Sequence, residues 1–202
     1  MDDFEPKLFG QWDTQAVTVN DKGLVDYITL TPVVVPRSGG RHAKKQYHKS
    51  KMHIVERLLN KLFVAGHRGR KHRFTSGRNT GQTFIMNNLI ISAFKDIEAK
   101  TKKNPVDVFV RAVENSAPLE EVLTYQRGGI MAREGVVTSP QRRVDLALRH
   151  ISQGSYQKSN RTKKKAWMCL SDEIIGAYKN DTNASFAASE KMRREKEALG
   201  AR

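Results

Sequence analysis

The side chains with chemistry to offer in this chain are cations, and their grouping makes that chemistry phosphate neutralisation. Residues 37–51 hold six Lys or Arg (Arg37, Arg41, Lys44, Lys45, Lys49, Lys51), two His and Tyr47, without one acid. Residues 66–81 hold Arg68, Arg70, Lys71, Arg73 and Arg78, and residues 158–165 hold Lys158, Arg161, Lys163, Lys164 and Lys165, again without a carboxylate. One such run is ordinarily a solvated surface. Three of them, each beside a segment patterned as a packed helix, are better explained by one continuous basic surface, to which Arg142, Arg143 and Arg149 add. With 36 Lys plus Arg against 21 Asp plus Glu, the formal charge of +15 selects a polyanionic partner. Aromatic residues make up only 7% of the chain, which is low for reading unpaired bases by stacking, so folded RNA recognised by shape fits better. Tyr47, Tyr156 and Trp167 lie nearest the tracts.

Other chemistry finds little footing. His42, His48, His53, His67 and His72 stand in or beside the basic tracts, where phosphate contact or solvation is the plain reading. No Cys pair exists to hold structural zinc, and the single Cys169, on the inner side of a patterned helix, reads as a buried structural thiol. Asp172 and Glu173 are neighbours on a helix and point about 100° apart, which argues for solvated or Arg-paired carboxylates rather than an acid–base pair. Gly66, His67, Arg68 and Gly69 match the backbone-clamping loop of KH modules, yet the flanks lack the strand and helix order of that module. Neither a nucleotide-phosphate loop nor a membrane span is legible. The first residues lack a secretion pattern, and one Cys cannot form an internal disulfide, so a reducing, cytoplasmic setting with no cofactor is expected.

The elements that must position these cations centre on residues 104–151. Asn104 is a good N-cap and Pro105 suits the first helical position; Val106, Phe109, Val110 and Val113 then repeat on one helix face until Pro118. Glu121-Val122-Leu123-Thr124-Tyr125 and the run 130–138 flank Gly128-Gly129, the signature of a tight hairpin turn, and so predict a protruding arm. Ser139-Pro140 repeats the cap-then-proline device. Val144, Ala147, Leu148 and Ile151 form the next buried stripe, with Arg142, Arg143 and Arg149 pointing elsewhere. Upstream, residues 1–36 read as extended chain, and the tract 37–51, self-repelling in isolation, requires a partner for its order. A helix from His53 to Val64 and a second with Phe84, Ile90, Ile91, Phe94 and Ile97 inward come before the central stretch. A helix buried through Trp167, Leu170, Ile174 and Tyr178 follows it, broken at Asn180-Asp181. A last segment, 185–199, has a thin apolar face of Phe186 and Met192 and is expected to pack weakly or to lie along a partner.

Several of these pieces together resemble a known family. Asn104-Pro105 with its Val-rich helix, Glu114-Asn115-Ser116-Ala117-Pro118, Gly128-Gly129-Ile130, Ser139-Pro140-Gln141-Arg142-Arg143 and Ser171-Asp172-Glu173-Ile174-Ile175 are similar to the universal small-subunit ribosomal protein S-seven family. The pieces Leu8-Phe9-Gly10-Gln11-Trp12, Asp26-Tyr27-Ile28, Gly39-Gly40-Arg41-His42-Ala43-Lys44-Lys45 and Ile54-Val55-Glu56-Arg57-Leu58 resemble its archaeal and eukaryotic branch, and the basic insert at 66–81 leans archaeal. Three positions depart from the family pattern. Val137 replaces a usual Asp and Leu119 a usual Arg, which implies a missing salt link at the hairpin base, and Arg194 and Glu197 stand at usually apolar positions of the last helix.

The resemblance implies a mainly α fold: a six-helix bundle with a protruding β-hairpin between the third and fourth core helices and an extended basic N-terminal region. Residues 1–51 would be that region, and residues 52–202 the helical domain with hairpin 119–138. It further implies binding to the 3′ major (head) domain of small-subunit ribosomal RNA and nucleation of head assembly. The ribosomal RNA contacts would be Arg37, Arg41, Lys44, Lys45, Lys49, Arg68, Arg70, Lys71, Arg73, Arg142, Arg143, Arg149, Lys158, Arg161, Lys163, Lys164 and Lys165. Arg127, Gly128, Gly129 and Arg133 on the hairpin would face messenger RNA and exit-site transfer RNA. Neighbouring head and platform ribosomal proteins would be partners, with no membrane. The competing expectation is a free-standing nucleic-acid-binding regulator or a nucleic-acid enzyme.

Overall fold

The structure, a computed structural model, describes residues 6–66 and 82–202. Among them stand six α-helices and one hairpin: α1 (Ile54–Leu62), α2 (Thr83–Thr101), α3 (Pro105–Ser116), β1 (Glu120–Arg127), β2 (Ile130–Val137), α4 (Pro140–Ser159), α5 (Ala166–Tyr178) and α6 (Phe186–Leu199). The mainly helical architecture and the place of the hairpin agree with the expectation. Asn104 caps α3 by accepting from the Val106 amide at 3.0 Å, with Pro105 at the first position, and its Nδ2 donates to the Asp13 carbonyl at 2.7 Å. Only half of that device recurs at α4: Pro140 is in place, but the Ser139 side chain makes no capping bond. Ser139 is exposed, so water can satisfy the open amides there.

Phe94 of α2 and Phe109 of α3 meet at 6.0 Å between ring centres, and Trp12 packs edge-on to Phe94 at 5.5 Å. Around them Ile54, Leu58, Ile90, Ile97, Leu148, Ile151 and Leu170 are buried, each contributing about 1.5–3 kcal/mol of apolar burial. Phe84, expected inward, is 73% exposed. The buried face of α2 runs through Met86, Ile90, Ala93, Phe94 and Ile97, and Phe84, two residues before Met86, lies about 200° round the helix from it.

The N-terminal segment is laid over this body rather than standing off it. Leu8, Trp12, Val17, Leu24 and Ile28 enter the same core. Trp12 Nε1 donates to Glu98 at 2.9 Å, and the Asn20 and Asp21 amides donate to Glu114 Oε1 at 2.6 and 3.1 Å. The tract 37–51 also departs from expectation, since the protein itself supplies order. Short 3-10 turns form at Arg41–Ala43 and His48–Lys51. The Ser38 amide and hydroxyl donate to the buried Glu56 of α1 at 2.8 and 2.6 Å, and Lys49 pairs with Asp145 of α4. Acids on two helices offset the repulsion that the tract's own sequence could not.

The last helix corrects its expectation as well. α6 packs on β1, β2, α3, α4 and α5, buried through Ala187, Ala188 and Ala198 rather than through a wide apolar stripe. Small side chains let backbones approach closely: a Cβ on Gly135 of β2 would sit 2.6 Å from the Ala198 carbonyl oxygen. Val137 and Leu119 carry no charge, and ion pairs of other residues stand at the hairpin base. Arg142 forks onto Glu121 at 2.6 and 2.8 Å, Arg194 approaches Glu121 at 3.8 Å, and Arg202 pairs with Glu120.

Candidate nucleic-acid interface

Helix α4 is the element on which the candidate cations converge. Twenty residues long, it spans about 30 Å, with basic segments packed at both ends. At its N-terminal half, Asp145 accepts from Arg57 Nη2 at 3.2 Å and from Lys49, and Gln141 Nε2 donates to the Tyr47 carbonyl at 3.4 Å, so the tract 37–51 is fastened along α4. Burial alone would raise the Asp145 carboxyl, but bonds and charge from Lys49 and Arg57 hold it below its ordinary value. Beside it, burial holds the Lys61 ammonium below its ordinary value; Asp145 pulls it up, and Arg149, Lys49 and Arg57 push it down. A cation pressed this way by other cations gains when a polyanion arrives.

The expected contacts sort into free and engaged groups. Arg37, Lys44, Lys45, Arg149, Arg161, Lys163 and Lys165 are exposed and have no carboxylate within ion-pair distance among the described residues. Arg41 is exposed, its Nε donating to the Ser38 carbonyl at 2.9 Å. Lys49, Arg142 and Lys158 are held by Asp145, Glu121 and Glu173, and Lys164 comes within 4.0 Å of Asp172. Arg143, expected to point away from the core, is 8% exposed and donates to Asp21 at 2.7 Å. That bond ties the N-terminal segment to α4. Arg68, Arg70, Lys71 and Arg73, with the KH-like loop beyond Gly66, lie outside the described residues.

At the other end of α4, Lys158 reaches back over α5. Its ammonium lies 2.6 Å from Glu173 and donates to the Ala184 carbonyl at 2.5 Å. Glu173, expected to be solvated or Arg-paired, is fully buried and also accepts from Ser185 Oγ at 2.8 Å and the Ala187 amide at 3.0 Å. Both hydrogen bonds reach Oε1 and the Lys158 ammonium faces Oε2, so this buried carboxylate joins α4, α5 and the start of α6 and fixes where the run 158–165 emerges. His53 is likewise not a phosphate ligand: its Nδ1 accepts from the Val55 amide at 3.2 Å, capping α1, and burial pushes its pKa down to about 4.

On the hairpin, Arg127 pairs with Ile130 and Arg133 with Thr124 across the ladder, and both arginines are exposed. Gly128 and Gly129 take φ of +56° and +85°, the left-handed backbone that a two-residue turn requires. Sequence reading missed Arg57 and Lys61, whose spacing of four on α1 was the available signal, and it missed Asp145 because its partners come from distant segments. Among the described residues no group of three His, Cys, Asp or Glu could hold a metal ion, and no helix is long and apolar enough to cross a membrane.

Comparison with known proteins gives the family. The family described as ribosomal protein S7p/S5e matches residues 25–202. The small ribosomal subunit protein uS7 of Nanoarchaeum equitans is 46% identical over 196 residues, covering 97% of this chain and 98% of that protein. The uS7 proteins of Methanococcus maripaludis (strain C6) and Methanothrix thermoacetophila are 44% and 43% identical, over 98% and 97% of this chain and all of theirs. The chain therefore belongs to the ribosomal protein S7p/S5e family.

Proposed function

We propose that this ribosomal protein, structural rather than enzymatic, binds the 3′ major (head) domain of small-subunit ribosomal RNA and nucleates assembly of the head in the cytoplasm. Its hairpin, through Arg127, Gly128, Gly129 and Arg133, lies near the exit site against messenger and transfer RNA, with head and platform ribosomal proteins as neighbours. The observation that carries this reading is the packing of separate basic segments along one 20-residue helix, α4, with the acids of the body spent on fixing their anchors. Arg37, Arg41, Lys44, Lys45, Arg149, Arg161, Lys163 and Lys165 then face phosphates. Lys49, Arg142, Lys158 and Lys164 do so from positions that their carboxylates set, and Arg68, Arg70, Lys71 and Arg73 add contacts from the insert. Arg143, turned inward, supports the frame. Phosphate contacts of this kind fix register and orientation on a folded RNA without reading bases. The basic extension 1–51 and the helical domain 52–202, with hairpin 119–138, act as one binding body.

The test is affinity of the intact protein for a head-domain RNA transcript. Reversal of three exposed cations, Lys44→Glu, Lys45→Glu and Arg149→Glu, is expected to weaken binding at least a hundredfold. It should also cut the salt slope by about 2–3, three phosphates at roughly 0.7–0.9 each, with circular dichroism unchanged. Affinity equal to the wild type would overturn the assignment.

A further inference from the structure

A cleft of about 860 Å³ opens where α2, α4 and α5 all end, within the roughly 300–1,000 Å³ of sites that enclose a drug-sized ligand. Its depth is formed by buried Cys169 and Gly176 and half-buried Ile175 and Tyr178, while Lys100, Lys103, Lys164 and Lys179 stand exposed around it. Two of these lysines are weakly engaged. Lys103 donates to the Tyr178 hydroxyl at 3.0 Å, and Lys164 is 4.0 Å from Asp172. Lys100 is held by Asp96 at 2.7 Å and Asp172 at 3.0 Å, but it is 44% exposed, and surface pairs of that kind hold by only about 0–1 kcal/mol.

Three helix C-termini contribute about half a negative charge each, and with Asp172 and Asp181 of the cleft lining they work against an anion. Lys100, Lys103, Lys158, Lys164 and Lys179 of the lining, with the adjoining Lys102, Arg161, Lys163 and Lys165, outnumber these acids, and among the described residues no arginine lines the cleft. Lysine ammonium groups bind phosphate oxygens as point charges, without the planar fork that arginine offers to carboxylate and phosphate alike. A line of cations leading into an apolar recess beside an aromatic ring fits a phosphate chain with one base turned out of its stack.

We propose that this cleft seats a single unstacked RNA nucleotide, its base against Ile175 and Tyr178 and its flanking phosphates on Lys103, Lys164 and Lys179. The inference rests on the RNA-binding reading above and adds a site that the acid-free tracts alone do not define.

The experiment uses the full chain and the head-domain transcript with 4-thiouridine incorporated. In wild-type complexes, photo-crosslinks are expected on peptides covering residues 169–179, and crosslinks confined to other segments, the basic run 158–165 included, would overturn the site. In parallel, K103E/K179E is expected to weaken binding at least tenfold, while K7E/K22E, the same charge change at exposed positions away from the cleft, weakens it under threefold. Equal effects of the two pairs would overturn the proposal, as would an unchanged affinity, the result if the cleft instead holds an acidic peptide. Wild-type protein that binds the transcript no better than a scrambled RNA would bring down the RNA-binding reading itself.

Discussion

At the scale of single residues, the buried polar groups set the terms. Glu173 is sealed beneath Gly154, where an added Cβ would lie 2.6 Å from the carboxyl carbon. Gly154→Ala is therefore expected to destabilise the protein by about 1–3 kcal/mol, read as a lower urea midpoint. An unchanged midpoint would show that the Glu173–Lys158 lock has room to move. His53 and His150 are both buried, with pKa values pushed down to about 4: His53 by burial against a small opposing pull from Glu56, His150 by burial with Arg194 adding repulsion. Each ring binds protons more readily in the unfolded chain, so its contribution to stability is full above about pH 6.5 and is lost as pH falls toward about 4. The loss per ring is up to about 3 kcal/mol. His53→Asn, which keeps a capping side chain, should flatten part of that acid slope. A slope identical to wild type would mean that His53 is not among the groups responsible.

At the scale of elements, the hairpin is two things joined: a free tip and a clamped base. Ile130 and Met131 at the tip are 75% and 64% exposed. Alanine at both Gly128 and Gly129 should therefore fray it, at a cost of about 1–2 kcal/mol per residue from the left-handed backbone, and leave the midpoint of global unfolding where it is. Faster amide exchange limited to residues 124–133 is the expected readout; exchange spreading into α3 or α4 would contradict a free arm. At the base, the Leu119 amide donates to Glu195 at 3.0 Å, and Gly135 faces the backbone of α6. Gly135→Val should push α6 off β2, raising exchange in both while sparing α1 to α3. On the proposed function, replacement of residues 126–130 leaves head assembly intact and perturbs events at the exit site, which reconstitution followed by transfer RNA release assays would reveal.

At the scale of the whole molecule, the formal charge of +15 is not spread evenly in its effect, because the acids hold some cations and leave others free. If about ten cations meet phosphates, the affinity for head-domain RNA should fall with a logarithmic salt slope of roughly 7–9. A slope near 2 would mean that most of the surface stays in water. Much of this architecture was legible from the chain: the Val-rich face of α3, the Gly-Gly turn, the stripe Val144, Ala147, Leu148 and Ile151, and the basic tracts that point to RNA. Periodicity reports which face of an element is buried, and turn residues report where the chain must reverse, since both are local consequences of backbone geometry. What only the folded chain decided is which charges are spoken for. Lys49 finds Asp145 across 96 positions, and Arg143 finds Asp21 across 122. α6 docks through alanines whose value lies in how close a neighbouring glycine lets them come. Such pairings depend on how helices are set against one another in space, and no spacing along the sequence encodes that distance.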